Sequence, residues 1–141
     1  MDVNSQIVDE LVATGKWSID HARAAMRASF RCEYCGLDLL ADAHHYKLWQ
    51  LDHIIPKNLL VQEAGDPDVL DNLAIACKPC NYDFKWTFDP RSTAGPNADR
   101  AALINAARVE IERRKSTVEA DLLRIREIIA LTRSSDRDGI L

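Results

Sequence analysis

Apolar residues open the chain at helical spacing. Val3, Ile7 and Leu11 fall four apart, which predicts one amphipathic helix over residues 3–14 with Gly15 as its stop. Ser18 reads as the N-cap of a second helix that turns Ile19, Ala22, Met26 and Phe30 inward. Basic residues do not gather on that second helix. The pair is therefore read as a hairpin packed on its neighbours rather than a helix-turn-helix for DNA, with His21 at the surface. Residues 46–55 alternate imperfectly but are rich in β-branched and aromatic side chains, which favours a strand. On a strand, Asp52 and His53 point to opposite faces. His44 and His45, just before it, have no partner at metal-ligand spacing and are expected to face solvent.

Residues 58–70 read as loop, with Gly65-Asp66-Pro67 as a turn signal, and Asp71–Ala76 brings the chain back. A short helix is predicted over 81–88, with Asn81, Lys85 and Phe88 on one face and Phe84 and Trp86 as apolar anchors. Residues 89–97 read as a linker. From Ala98 to Thr132 there is neither Gly nor Pro, which predicts a long helix, with the capping-box pattern Ser116–Glu119 as the place where it breaks. Ile104, Ile111, Val118 and Ile125 recur every seven residues along it. Their companions four on are Arg108, Lys115, Leu122 and Ile129, so only the second half carries an apolar seam. Residues 133–141 are expected to be disordered.

The chemistry sits between these helical ends. Cys32-Glu-Tyr-Cys35 and Cys77-Lys-Pro-Cys80 are paired at the spacing with which thiolates grip a tetrahedral zinc, and they use every cysteine in the chain. Between them lie Leu51-Asp52-His53-Ile-Ile-Pro56 and Asp71-Asn72-Leu73, and Asn81 follows the last cysteine directly. Taken in this order, over roughly residues 28–88, the motifs resemble the HNH endonucleases of the four-cysteine, zinc-containing subgroup, in an H-N-N variant.

The resemblance implies an α+β fold: a small zinc-stapled ββα-metal core over 32–88, flanked by the hairpin of 1–31 and the helical extension of 98–132, compact as a single domain. It implies zinc on Cys32, Cys35, Cys77 and Cys80. It also implies catalytic Mg²⁺ or Mn²⁺ on Asp52 and Asn81, His53 as general base and Asn72 as the residue that steadies the loop and the histidine. Hydrolysis in such enzymes leaves 5′-phosphate and 3′-hydroxyl ends. Lys57 and Lys85 are the expected phosphate contacts. Two features depart from the family pattern. The connecting loop lacks the usual Gly-Gly step, and the lysine after Asn81 is four residues on instead of three.

Charge modifies this picture. The net charge is −4, and residues 32–97 hold five basic against ten acidic residues, a net of −5. Four thiolates with one Zn²⁺ would add about −2 more. Such a core has no general grip on a phosphate backbone. DNA, ahead of RNA, is expected to be held by a local patch, by the C-terminal helix, or through a partner protein or second copy that this helix recruits. An assembly subunit that is inert alone, or a zinc module without catalysis, are the competing readings. No apolar run reaches the ~20 residues that span a bilayer and no signal segment opens the sequence, so a cytoplasmic, membrane-free protein is expected.

Overall fold

The computed structural model describes residues 3–135. Its helices are α1 (Val3–Ala13), α2 (Ile19–Arg27), α3 (Ala43–Tyr46), α4 (Lys57–Gln62), α5 (Arg91–Ala94) and α6 (Arg100–Ser135). Two strands, β1 (Trp49–His53) and β2 (Leu73–Cys77), pair antiparallel with Trp49 opposite Cys77, Asp52 opposite Ala74 and His53 opposite Leu73. A π-helical turn over Pro79–Lys85 follows β2. The architecture is thus α+β, a two-stranded ribbon with N-terminal helices and a long C-terminal helix. No helix among the described residues is long and apolar enough to cross a membrane.

Local sequence accounts for most of these elements. Ser18 Oγ accepts a hydrogen bond from His21 N at 3.1 Å and so caps α2, while Gly15 ends the α1 turn at φ +75°. The inner face of α1 differs from the expected one. Val8 is its buried residue, with Leu11 and Val12 packed beside it, and Val3 is largely exposed. His21 is not solvated on all sides either, since its ring meets the Trp49 ring edge-on at 5.4 Å.

β2 is buried at all five positions because it is covered from several directions. Its side chains share one hydrophobic core with Ala22 and Ala25 of α2, Ile54 beyond β1, and Leu103, Ile104, Ala107 and Ile111 of α6. Burying a side chain of this size contributes ~1.5–3 kcal/mol, so this cluster holds the first 111 residues together. Charge follows the same route. Glu33, inside the first cysteine pair, accepts from Arg100 at 2.8 Å and from Ile75 N at 3.1 Å, and lies 3.7 Å from Arg27. The flanking helices thereby bring arginines to an acidic core.

Three predicted irregular stretches are ordered. Residues 57–62 form α4, which overlaps the start of the predicted loop 58–70, and the predicted linker contains α5. Arg91 binds Asp89 and Glu63 with its guanidinium, at 2.9 Å to a carboxylate oxygen of each, which fixes that segment. α6 runs through Ser116–Glu119 without the predicted break, as helix propensity outweighs a capping pattern with no chain reversal to serve. Beyond Ile111 its residues form a second unit, in which Val118, Leu122, Ile125 and Ile129 are exposed. Of the predicted disordered tail, residues 133–135 are helical and 136–141 lie outside the described residues.

Candidate functional site

The two cysteine pairs, far apart in sequence, converge in space. Cys32 and Cys35 flank a tight turn in which Gly36 N bonds Cys32 O at 2.8 Å, and Gly36 takes φ +78°, a conformation a side chain would strain. Cys77 closes β2 and Cys80 enters the π-helical turn. All four sulfur atoms lie within 4.8 Å of one another, and Cys35 Sγ is 3.7 Å from Cys77 Sγ. That separation is too long for a disulfide and matches the ~3.8 Å edge of a tetrahedron with ~2.3 Å metal–sulfur bonds. Hydrogen bonding to Cys32 holds the Cys35 thiol well below its ordinary value and pushes the Cys80 thiol up. Thiols this close share negative charge poorly unless a cation stands among them, so the donor set fits a metal ion.

His53 ends β1, and its ring reaches out to the loop before β2. Nε2 lies 2.8 Å from Asp68 Oδ1, and this bond draws the Asp68 carboxyl below the usual carboxylate range. Asp68 is held in place by Asp66, whose Oδ1 accepts from Asp68 N at 2.9 Å. Asn72 braces both sides of this loop. Its Oδ1 accepts from Ile55 N at 2.9 Å, and its Nδ2 donates to Ile55 O at 3.1 Å and to Pro67 O at 3.0 Å. Every one of these bonds is to backbone, so Asn72 positions the segments that carry His53 and Asp68.

Asp52 turns to the other face of β1, as strand alternation requires, and is 6% exposed. Its Oδ2 accepts from Tyr34 Oη at 2.5 Å and lies 3.1 Å from Lys85 Nζ. Burial raises the Asp52 carboxyl above its ordinary value, with the Lys85 ammonium pulling the other way. Burial and the neighbouring Asp52 together push the Tyr34 phenol well up. Lys85 also donates to His53 O at 3.1 Å, so one ammonium ties both residues of the Asp-His pair to the π-helical turn.

The expectation that Lys85 contacts phosphate is corrected by this arrangement. The side chain is 1% exposed and its charge serves Asp52. The cause is its partners: Asp52 Oδ2 and His53 O, each 3.1 Å from Nζ, hold the ammonium inside. Trp86 is corrected in the opposite sense. It is 55% exposed rather than an anchor, while Phe84 does pack against the core.

Asn81 donates from Nδ2 to Gln50 Oε1 at 2.8 Å, so its amide oxygen is not used in that bond. Asp52, His53, Asn81, Lys57, Tyr82 and Trp86 all line one open pocket of about 260 Å³. Lys57, at the start of α4, is exposed and is the cation on this rim that the sequence reading named. His44 is exposed, and His45 pairs through Nδ1 with Asp42 Oδ1 at 2.7 Å, apart from the pocket. A larger groove of about 530 Å³ runs beside α1 and α2, lined by residues such as Val8, Ile19, Arg23 and Met26, and contains none of these site residues.

Asp68 carries no distinguishing signal in the sequence, where it is one carboxylate among many in an acidic segment.

No curated protein sequence is matched by the chain. Residues 32–83 match the family model described as HNH endonuclease, a span that begins at the first metal-binding cysteine and ends inside the π-helical turn. The segment that brings together the four cysteines, His53, Asn72 and Asn81 is the one that matches the HNH endonuclease family.

Proposed function

We propose that this chain is a metal-dependent endonuclease that hydrolyses DNA phosphodiester bonds, with His53 as general base and a structural zinc on Cys32, Cys35, Cys77 and Cys80. The observation that carries this reading is the convergence of His53, Asp52 and Asn81 on one open pocket. Asp68 accepts as a carboxylate, which makes Nε2 of neutral His53 the N–H and leaves Nδ1 as the basic atom. Water gives its proton to Nδ1, its oxygen attacks phosphorus, and the bond from phosphorus to the 3′ oxygen breaks, the 3′ oxygen leaving as an alkoxide that takes a proton from solvent water. Asp68 then faces an imidazolium and offsets its charge. Lys57 neutralises phosphate at the rim.

Asp52 and Asn81 would hold a divalent ion through oxygen alone, which suits Mg²⁺ or Mn²⁺ and would supply charge stabilisation to the phosphate and the leaving oxygen. Tyr34 and Lys85 both occupy Asp52 Oδ2, so Oδ1 is the atom assigned to that contact. The test is nicking of supercoiled DNA by zinc-loaded protein with Mg²⁺, with Mn²⁺ or with neither. His53→Ala is the control. Failure of the wild type to nick with either ion, or equal nicking by His53→Ala, removes the assignment.

A second reading, the nuclease subunit of a cytoplasmic assembly, is favoured by the exposed seam of α6. Val118, Leu122, Ile125 and Ile129 lie on one stripe of that helix. In the heptad that puts Val118 and Ile125 at d, Arg114 and Asp121 fall at g and Glu119 and Arg126 at e. In a parallel pair of such helices Arg114 meets Glu119 and Asp121 meets Arg126, each of opposite charge, so a second copy of this chain suits the seam.

A further inference from the structure

The pocket that holds His53 has an aromatic edge which the proposed hydrolysis does not use. Tyr82 and Trp86 both line it and are 52% and 55% exposed, with ring centroids 4.8 Å apart at an interplanar angle of 77°. The fold does not lack places for such rings. Trp17 is buried and stacks on Trp49 at 4.3 Å, so tryptophans needed for packing are packed. Leaving the largest apolar side chain half in water forfeits much of its burial energy. Trp86 also sits at φ 46°, which is unusual and costly for a bulky residue, where Trp86 N bonds Asn81 O at 2.9 Å and ends the π-helical turn. The backbone is thus bent at the point that turns the indole into the pocket.

We propose that Tyr82 and Trp86 form a stacking site for an unpaired nucleobase beside the phosphodiester presented to His53, so that the preferred substrate is a single strand or a locally unpaired duplex. The position of the scissile bond rests on the nuclease reading above; the stacking does not. Every base has a π face, and exposed aromatic side chains bind unpaired strands by stacking with little regard to sequence. Lys78 Nζ lies over the Tyr82 ring, 5.5 Å from its centroid, so a cation covers one face of that ring and leaves the Trp86 indole as the principal stacking surface, with positive charge beside it for the adjoining phosphate. Electrostatics point the same way. A duplex carries about twice the axial charge density of one strand, and a segment with net charge −5 tolerates the single strand better.

The test uses full-length, zinc-loaded protein without added Mg²⁺ or Mn²⁺. The probes are a short single-stranded oligodeoxynucleotide, its perfect duplex, and the duplex with a central bulge. Wild type is expected to bind the single strand and the bulge on the order of ten-fold more tightly than the duplex, with quenching of tryptophan emission. Trp86→Ala should lose about ten-fold in single-strand affinity together with the quench, and Trp86→Phe should retain most of the affinity because a ring remains. Zinc content and melting temperature should stay at wild-type values in both variants.

Equal affinity for single strand and perfect duplex overturns the proposal. So does a Trp86→Ala protein that binds as wild type does, the result expected if this edge docks a protein instead. Cleavage assays with Mg²⁺ run in parallel separate the two claims. A wild type that cleaves none of the probes while Trp86→Ala loses binding leaves the stacking site standing without the nuclease. His53-dependent cleavage with no Trp86 effect leaves the nuclease standing without the stacking site.

Discussion

His53 Nε2 and Asp68 Oδ1 lie 2.8 Å apart, although fifteen residues separate them in sequence. The pair fixes which imidazole nitrogen carries the proton and therefore which one can take another. Asp68→Ala removes the acceptor, whereas Asp68→Asn keeps an oxygen in place without its charge. Asp68 is exposed, so its electrostatic effect is screened by water and both proteins should stay folded. Cleavage is expected to fall ~10-fold in Asp68→Ala, short of the ~10²–10⁴ attached to loss of a general base, with Asp68→Asn between it and wild type. Nitrogen chemical shifts of the His53 ring check the cause. The Nε2–H tautomer should dominate in wild type and mix with the other in Asp68→Ala.

Lys85 offers a contrast, since its ion pair with Asp52 is buried. Lys85→Met leaves the carboxylate without its cation in a dry site, and breaking such a pair is expected to cost ~3–5 kcal/mol. The pH dependence follows from the direction of the Asp52 shift. Burial raises its folded-state pKa, so the associated stability is full below the unfolded value near ~4 and is lost as pH rises through the folded value. Lys85 opposes that rise, and removing it moves the loss to higher pH and enlarges it. Melting temperatures of zinc-loaded wild type and Lys85→Met should therefore differ more at pH 8 than at pH 6. An equal deficit at both pH values would separate Asp52 from the effect.

The cysteine centre makes the largest demand on stability. Cys77 lies in β2 and Cys80 in the following turn, so their metal would clamp the ribbon to the knuckle around Cys32 and Cys35. Structural zinc in small domains contributes on the order of 10 kcal/mol. Cys77→Ala is expected to lose bound zinc and cooperative melting together. Unchanged metal content and melting temperature would exclude the site.

The parts of this protein that sequence made legible are those in which spacing alone carries the geometry. Two cysteine pairs, each with two residues between them, converge in space, and strand alternation sends Asp52 and His53 to opposite faces. Ser18 caps α2 because a hydroxyl at that position has a backbone N–H to accept from. What the pattern missed depends on the path of the backbone between elements. Asp68 reaches His53 only because Asn72 and Asp66 shape its loop. Spacing along a helix does not show that Lys85 is drawn inside by Asp52 and His53 O, nor that Trp86, at the end of the π-helical turn, is left exposed. α4 and α5 are short and lie in segments with turn residues, where propensity alone does not select helix.

The same core sets where the chain can be shortened. The sequence suggests removing 98–141 as one helical extension, but Leu103, Ile104, Ala107 and Ile111 are buried in the core with β2 and α2. Large-to-small changes at single core positions of this kind cost ~2–5 kcal/mol, and deleting four together exceeds the stability of an ordinary domain. A chain ending at Asn97 is therefore expected to be unfolded. A chain ending at Lys115 keeps all four side chains and the Arg100 and Arg108 bonds to Glu33, so its melting temperature and zinc content should match wild type. It lacks Val118, Leu122, Ile125 and Ile129, and a parallel pair joined by that seam should sediment as a monomer after the cut. Nicking by the shortened chain then decides what the seam serves. Full activity per folded molecule would make the distal helix dispensable for chemistry. A loss of activity together with a halving of mass would tie cleavage to the second copy, and a wild type already monomeric at assay concentrations would reject the pairing.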